Sequence, residues 1–596
     1  MLNELVRYAE RQGLAGPGFT PKMIKWAITC STEGKLLGVN ELSDGDNKKN
    51  PGRPFAVCPE ASGMNSGGKS HFLVETLETV LLMCKKEEDR PKFEAKHKFF
   101  VKQLRDATAV CPEMGQFADI VENEDHRATL IADLQDAKAK PTDKITIMID
   151  GRKPSFLVAD TVWHDWWAEY RNTLGKNADN AKKKPPAAKK TDGRMLCFAT
   201  GEMVEPAKTH PKITELANVG ASAMGASLVS FDKDATCSYG LKQSANAAMS
   251  EESAAAYRAG LNHVLAHHSR RLAGAKVAYW FDKEEVLDEC DLPELLLGGS
   301  NSQAVEEAQE RDALRRAKEL LAAIHKGEIP DFVKENHYYA LTLSGNAGRV
   351  VVRDWMTGPF EEMLGNVIAW FEDFDIVHRR GESLASPPKF MAVLGSLVRD
   401  LKDIPAPLSA SMWTAAIRHG QIPRTAVARA VERARIDVIN DKSPSHARMG
   451  LIKAYHIRKG DENMNAYLNE DHTSKAYQCG RLMAVLANLQ YAAQGDVGAG
   501  IVQRYYAAAS ATPALVLGRL TRLSQFHFSK LGKEKKGLAV TIERQIADIW
   551  AKIKDDLPST LSLDEQSLFA MGFYQQKAHR FNSNTEKQDE AGEDQN

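Results

Sequence analysis

Apolar residues recur at helical spacing throughout the last third of the chain. The clearest series is Ile542, Ile546, Ile549 and Ile553. Intervals of three and four residues place these side chains on one face of a helix. Such a face is stable only when it packs against another helix. The sequence from about residue 390 onward is therefore predicted to form a helical bundle.

The first two thirds of the chain mix strand-like and helix-like segments. Residues 144–149 form an apolar run that predicts a buried strand. Residues 338–355 predict a hairpin that turns between Gly345 and Gly348. The predicted fold class is therefore α+β, a mixed α/β N-terminal region followed by an all-α C-terminal helical bundle. Composition suggests three ranges, 1–194, 195–375 and 376–582, and an acidic tail at 583–596 that is predicted to be disordered.

A glycine-rich segment raises the possibility of nucleotide binding. Residues 63–70 read Gly-Met-Asn-Ser-Gly-Gly-Lys-Ser and fit the phosphate-binding pattern G-x-x-x-x-G-K-[S/T]. Apolar residues between 72 and 81 predict the helix that a P-loop requires, and Asp150 follows a strand as a Walker B carboxylate would. Pro59, however, interrupts the strand that should lead into the loop. A P-loop ATPase acting on nucleic acid is therefore an alternative function.

Two basic segments could contact an anionic partner. The first, residues 176–194, is rich in Lys, Pro and Ala and is either a solvated linker or an arm that contacts nucleic acid. Its candidate contacts are Lys182, Lys183, Lys184, Lys189 and Lys190. The second, residues 417–459, carries ten basic side chains against three acidic ones, which favours a nucleic-acid-binding face over an ordinary solvated helix. Its candidate phosphate contacts are Arg424, Arg429 and Arg433.

The predicted hairpin carries two further arginines. Alternation along its second strand places Arg349 and Arg353 on one face, opposite Val350 and Val352. The two arginines could hold a phosphate or could pair with Asp354 and its neighbours. The sequence does not distinguish these alternatives.

Composition restricts the remaining function classes. The formal net charge of −1 indicates no particular partner, and no apolar run reaches membrane-spanning length. The eight cysteines include no C-x-x-C pair, so no zinc ribbon or disulfide framework is predicted, and Cys197 and His210 are expected to be structural. His164-Asp165 is not expected to form a nuclease site, because tryptophans surround it. We expect a cytoplasmic protein without cofactor, metal or catalytic residue.

Several short motifs, in a fixed order, resemble those of one known family. The first are Ser66-Gly67 with Phe72-Leu73, Thr200-Gly201-Glu202 with His210-Pro211, and Ser230-Phe231 with Ser238-Tyr239-Gly240. The next are Leu343-Ser344-Gly345-Asn346 with Arg349, Arg353, Asp354 and Trp355. The last are Tyr477, Gly480-Arg481-Leu482, Gln490, Ala509-Ser510-Ala511-Thr512-Pro513, and Gln566 with Phe569, Gly572, Tyr574 and Gln575. In order and spacing the chain resembles the large subunit of the type I-C CRISPR–Cas Cascade surveillance complex over most of its length.

The resemblance implies a non-catalytic DNA-recognition subunit of a crRNA-guided antiviral complex. Such a subunit recognises the protospacer-adjacent motif in duplex DNA, promotes R-loop formation and stabilises the displaced single strand. Its partners would be the crRNA-bound Cascade backbone subunits, the crRNA-processing subunit and a helicase-nuclease that it helps to recruit. The matching DNA-recognition loop comprises Asn65, Ser66, Gly67, Gly68, Lys69, Ser70 and His71. Small residues there would permit close approach to a DNA groove.

The resemblance also implies that a small subunit is translated internally from the same gene. Met449, Met464 and Met483 are possible starts, and Met464 is preferred because a start at Met483 would cut into the first apolar helix of residues 464–582. Copies of this subunit would help to hold the displaced strand. Candidate contacts in this part are Arg481, Arg504, Lys530 and Lys533.

Overall fold

The computed structural model describes residues 1–593 except 15, 43–51, 62–67, 181–192, 232, 285–290, 298–302, 327, 382 and 555. The strands are β1 (Phe19–Ile24), β2 (Trp26–Cys30), β3 (Leu36–Glu41), β4 (Arg53–Pro59), β5 (Glu75–Thr76), β6 (Lys144–Ile149), β7 (Met195–Leu196), β8 (Met203–Val204), β9 (Lys212–Ile213), β10 (Ala226–Ser227), β11 (Ser269–Leu272), β12 (Ala275–Phe281), β13 (His337–Asn346) and β14 (Arg349–Pro359).

The α-helices are α1 (Leu2–Arg11), α2 (Leu77–Val80), α3 (Arg90–Asp106), α4 (Glu113–Glu122), α5 (Glu124–Asp136), α6 (His164–Asn180), α7 (Glu251–His267), α8 (Leu292–Leu297), α9 (Gln303–His325), α10 (Phe360–Asp373), α11 (Phe390–Ser396), α12 (Ala406–Ile417), α13 (Arg424–Ile439), α14 (His446–Arg458), α15 (Lys475–Gln494), α16 (Ile501–Ala509), α17 (Pro513–Glu534), α18 (Lys536–Ile553) and α19 (Leu563–Glu593). The predicted α+β class, with a helical C-terminal region, is confirmed. None of the described helices is both long and apolar enough to cross a membrane.

Contacts divide the chain into two compact units, whose boundaries differ from the ranges that composition suggests. Unit 1 comprises Met1–Ile213 and Ser227–His263, and unit 2 comprises Thr214–Ala226 and Val264–Asn596. The helix α19 continues to Glu593 and so includes much of the segment assigned to an acidic tail. Disorder of that tail stays a prediction.

Unit 1 is built around a four-stranded sheet of order β3-β2-β6-β5, in which β2 and β6 are parallel. The predicted strand at residues 144–149 is confirmed as β6, and its Ile145, Ile147 and Ile149 are fully buried. Both faces of such a strand need cover, which explains the continuous apolar run. The helices α3 and α4 contribute to the same core. The strands β1 and β4 pair separately as a two-stranded sheet.

Unit 2 contains the antiparallel strands β11 to β14, which are neighbours in one sheet. The predicted hairpin is confirmed as β13 and β14, with Asn346 opposite Arg349. A Cβ atom at Gly345 would lie 2.0 Å from the backbone nitrogen of Ala221, so only glycine allows this close approach. The hairpin turn is fixed further, because the amide of Ala347 donates to the carbonyl of Gly220. These contacts hold the turn of the hairpin that carries Arg349 and Arg353 in a fixed position.

The C-terminal helices of unit 2 pack around α15. A Cβ at Gly480 would lie 2.0 Å from the Phe569 carbonyl oxygen, and one at Gly572 would lie 2.1 Å from the Tyr477 carbonyl oxygen. The two glycines thus allow α15 and α19 to approach backbone to backbone. Nearby, the Tyr477 hydroxyl donates to Gln575 Oε1 at 2.5 Å. The four isoleucines of the opening series are buried on α18, as predicted.

Candidate nucleic-acid interface

The described part of the glycine-rich loop is Gly68 to His71, in unit 1. Lys69 is half-buried, and its Nζ donates to the Leu174 carbonyl at 3.4 Å, a long hydrogen bond. Ser70 is buried, and its hydroxyl donates to Gln103 Oε1 at 3.3 Å. The predicted contacts Asn65, Ser66 and Gly67 lie outside the described residues. The hydroxyl of Ser70 is thus directed into the protein, whereas among the described residues the ammonium of Lys69 has only a weak partner.

His71 holds the base of this loop. Its ring Nδ1 accepts a hydrogen bond from the backbone N–H of Ala61 at 3.1 Å. The backbone N–H of His71 donates to Glu75 Oε1 at 3.1 Å. Burial, together with the nearby charge of Lys22, lowers the pKa of His71. An Nδ1 that accepts a hydrogen bond carries no proton, so the ring is neutral and the Glu60 carboxylate at 3.6 Å is not a true ion-pair partner. His71 therefore positions the loop and does not present a charge to a ligand.

The geometry around the loop differs from that of a P-loop. A P-loop joins a strand to the N-terminus of a helix, and the backbone N–H groups there bind phosphate. Here Ser70 is followed by an irregular stretch and β5, and Leu73 has a positive φ of 59°. The predicted helix is confined to Leu77–Val80, so that prediction is wrong over residues 72–76. The strand β4 before the loop also lies in a different sheet from β6, which ends before Asp150.

The other sequence features that suggested chemistry are packing residues. Trp163 and Trp167, which flank His164-Asp165, are fully buried, and Phe72 stacks on Trp167 at 5.4 Å. His210 is buried, and its ring bonds the Tyr257 hydroxyl at 3.1 Å and the Ala247 carbonyl at 3.2 Å. Within the described ranges no group of three or more His, Cys, Asp or Glu is arranged to hold a metal ion.

The hairpin arginines Arg349 and Arg353 are both exposed. A β-bulge shifts the register at Arg353, since Val352 lies opposite Leu343 while Asp354 lies opposite Thr342. Strict alternation therefore ends at this point, which the sequence pattern did not indicate. The Nε of Arg353 donates to the Ser344 hydroxyl at 2.8 Å.

Asp354 does not serve as the partner of Arg353. Its carboxylate accepts the Thr414 hydroxyl and the Trp355 N–H. Asp354 is therefore not the partner of Arg353, and phosphate contact by the hairpin arginines stays a prediction.

The basic run at residues 417–459 is not a single charged face, which corrects the prediction. Arg448, Lys453 and Arg458 are buried. Lys453 Nζ donates to the carbonyls of Glu372 and Asp373 at 3.1 and 3.0 Å, where α10 ends. Arg458 Nε donates to Asp373 Oδ2 at 2.7 Å. Lys453 and Arg458 thus bind the C-terminal end of α10, where the helix dipole is negative, so they stabilise the fold.

The three arginines selected within this run occupy more accessible positions on α13. Arg424 is exposed and lies 3.9 Å from Asp564, a carboxylate that Lys459 Nζ already contacts at 2.7 Å. Arg429 and Arg433 lie one turn apart and are partly exposed. Neither forms an ion pair with another described residue. Both could therefore meet an external anion, although the Nε of Arg433 is itself buried.

Arg481 must be withdrawn from the candidate contacts in the bundle. It is buried on α15, where Nε donates to Gln576 Oε1 at 2.8 Å and Nη1 donates to the Glu470 carbonyl at 2.8 Å. Arg481 is inaccessible to DNA because α15 is the central helix and is surrounded by the other helices of the bundle. Arg504, Lys530 and Lys533 are exposed. Arg519 and Arg522 are exposed on the same helix as the two lysines, although the sequence analysis did not select them. Their spacing of seven and four residues from Phe526 is a helical periodicity that could have identified them.

Comparison with known families identifies the chain. The family model described as CRISPR-associated protein (Cas_Csd1) matches residues 4–581. The chain is therefore a CRISPR-associated protein of the Cascade type. It belongs to the Cas_Csd1 family. No curated protein sequence gives a significant match.

Proposed function

We propose that this protein is the large subunit of a type I-C Cascade complex and that it acts without a catalytic residue. It recognises the protospacer-adjacent motif in duplex DNA, promotes R-loop formation, stabilises the displaced strand and helps to recruit a helicase-nuclease. The observation that carries this proposal is the family match over residues 4–581. Guide pairing then supplies sequence specificity, while this subunit supplies motif recognition and backbone contacts.

The loop at residues 65–71 is the proposed site of motif recognition. His71 and Ser70 fix its base through buried hydrogen bonds, which lowers the entropy cost of binding DNA. Within the part of the chain that the structure describes, the ammonium of Lys69 has only a long bond to Leu174, and a phosphate or a guanine edge would offer a stronger partner. Lys69 is therefore the proposed direct contact, and His71 is a positioning residue.

Backbone contacts to nucleic acid would come from exposed or partly exposed cations of unit 2. The described candidates are Arg349, Arg353, Arg424, Arg429, Arg433, Arg504, Lys530 and Lys533. The lysines Lys182, Lys183, Lys184, Lys189 and Lys190 lie outside the described residues and stay predictions. The protein partners would be the crRNA-bound backbone subunits and the crRNA-processing subunit.

The C-terminal helices are also the proposed small subunit, translated from Met464. Their mutual packing supports this, since α15 contacts α17, α18 and α19 directly. The fragment would lose some partners, because the Tyr574 hydroxyl donates to the Val377 carbonyl at 2.7 Å. A separate copy must therefore cover or hydrate that surface in another way.

The test of motif recognition compares duplex and pre-opened targets. We expect Lys69→Ala in the crRNA-assembled complex to weaken duplex binding and slow R-loop opening. A target with a pre-formed bubble should bypass much of the defect, because motif recognition initiates unwinding. Equal losses on duplex and bubble would refute the assignment.

Matched variants separate contact from positioning. His71→Ala should reproduce the Lys69→Ala defect, whereas His71→Asn should retain function, because an amide oxygen can accept the Ala61 N–H in place of Nδ1. Lys153→Ala removes an exposed lysine of unit 1 and should have no effect. Assembly with crRNA should be intact in every variant.

A further inference from the structure

The outer face of α17 carries a row of exposed side chains, which we call the α17 stripe. Its members are Leu515, Arg519, Arg522, Phe526, Lys530 and Lys533. Leu515 and Phe526 are each 75% exposed, although large apolar side chains on a helix of a bundle ordinarily face the core. The stripe belongs to none of the packing contacts described above.

The spacing within the stripe is symmetrical about Phe526. The four cations lie seven and four residues before Phe526 and four and seven residues after it. At 100° per residue, all six side chains fall within an arc of roughly 80°, and at 1.5 Å per residue the outer cations are about 21 Å apart along the helix. On the opposite face Leu517, Leu520 and Leu531 are buried. This packing fixes the rotation of α17 and directs the stripe outward.

The charge of the stripe has one sign. The helix contains no acidic residue before Glu534. None of the four cations forms an ion pair or a side-chain hydrogen bond with any other residue that the structure describes. Cations three and four residues apart on a helix repel one another. An anionic ligand would relieve this repulsion, whereas a solvated face ordinarily carries charges of both signs.

The position of Phe526 narrows the class of ligand. A duplex offers phosphates but keeps the faces of its bases stacked inside, so an exposed phenyl ring between the cation pairs would gain little from it. A single strand offers phosphates and unpaired base faces along the same line, and aromatic side chains interleaved with cations are the usual means of binding it.

We propose that the α17 stripe binds single-stranded nucleic acid. Phe526 stacks on an unpaired base, while Arg519 with Arg522 and Lys530 with Lys533 contact phosphates on either side. This inference deepens the proposed function, on which it rests, because the displaced strand is the single-stranded DNA that R-loop formation produces.

The test uses the full-length chain without a guide and a fluorescent 20-nucleotide oligo-dT. Base stacking on an aromatic residue predicts that Phe526→Ala weakens binding roughly 5- to 150-fold, with an unchanged dependence on salt. Phe526→Trp should restore affinity. Replacing all four cations of the stripe by Gln should flatten the slope of log K against log salt by up to about 2.8 units on a single strand.

Leu538→Ala removes an exposed apolar side chain of α18 outside the stripe and should leave affinity and slope unchanged. Every variant should keep the parental thermal midpoint, since the altered side chains are exposed. The inference is overturned if Phe526→Ala binds oligo-dT within twofold of the parent. It is also overturned if the variants lose only self-association, because the stripe would then be a protein interface.

The two proposals can fail separately. Binding of oligo-dT requires neither crRNA nor an adjacent motif, so the stripe can be supported even if Lys69→Ala has no effect on duplex opening. Conversely, motif-dependent opening by a complex whose stripe does not bind oligo-dT would overturn this inference alone.

Discussion

Arg429 and Arg433 are two of the proposed DNA phosphate contacts within the basic run. They lie one turn apart on α13, are partly exposed and have no ion-pair partner among the described residues. Each arginine that neutralises a duplex phosphate contributes about 0.9 to the slope of log K against log salt. The double variant Arg429→Gln, Arg433→Gln should therefore flatten that slope by up to about 1.8 units.

The assay is fluorescence anisotropy of the full-length chain with a labelled duplex of unrelated sequence, titrated at several salt concentrations. Affinity should fall for every sequence, because phosphate contacts carry no sequence information. An unchanged slope would refute the assignment and would mean that the two arginines are solvated or contact another subunit.

A buried arginine of the same run supplies the contrasting control. Arg458 donates to the Asp373 carboxylate and to the carbonyls of Ala415 and Gly420. Its side chain is 1% exposed, so Arg458→Gln leaves a buried carboxylate without its ion-pair partner. Loss of one member of a buried pair costs roughly 3–5 kcal/mol. We expect the thermal midpoint of Arg458→Gln to fall clearly. At a temperature where the variant is folded, its slope of log K against log salt should equal that of the parent.

Three further predictions follow from the helical region. Gly480→Ala should destabilise the fold by roughly 1–3 kcal/mol, because its Cβ would lie 2.0 Å from the Phe569 carbonyl; Gly518→Ala, with open space around it, should leave the thermal midpoint unchanged or raised. Burial lowers the pKa of His456 to about 4 from its ordinary value of 6.5. The stabilisation of the fold by neutral His456 is therefore complete above pH 6.5 and is lost as the pH falls towards 4. Urea unfolding at pH 7 and pH 5 should show an acid loss that is roughly 2 kcal/mol smaller in His456→Gln. Mass spectrometry of the purified complex should find a C-terminal fragment beginning at Met464, and its disappearance with protease inhibitors would indicate proteolysis instead.

The regular elements could be predicted because their signals are local. The isoleucines of α18 and the alternating isoleucines of β6 each report the period of their element. The hairpin of β13 and β14 is signalled by glycines near its turn. The bulge at Arg353 could not be predicted, since it depends on the pairing of two strands.

The roles of charged residues were less predictable. Arg458 and Arg429 lie in one basic run, yet one is buried at the end of α10 and the other is accessible. A lysine or arginine can bind the last carbonyls of a helix that is distant in sequence. The local sequence does not indicate which basic residue does so. Similarly, the G-K-S tripeptide matches a phosphate-binding pattern, but the chain after Ser70 turns into β5 and not into a helix.

We propose that this chain enables a guided complex to open duplex DNA. The most direct measurement is R-loop formation by the complex reconstituted with and without the chain, on a fully duplex target and on one with a pre-formed bubble. We expect the complex without the chain to engage the bubble but to fail to open the duplex. Equal opening of the duplex with and without the chain would contradict it.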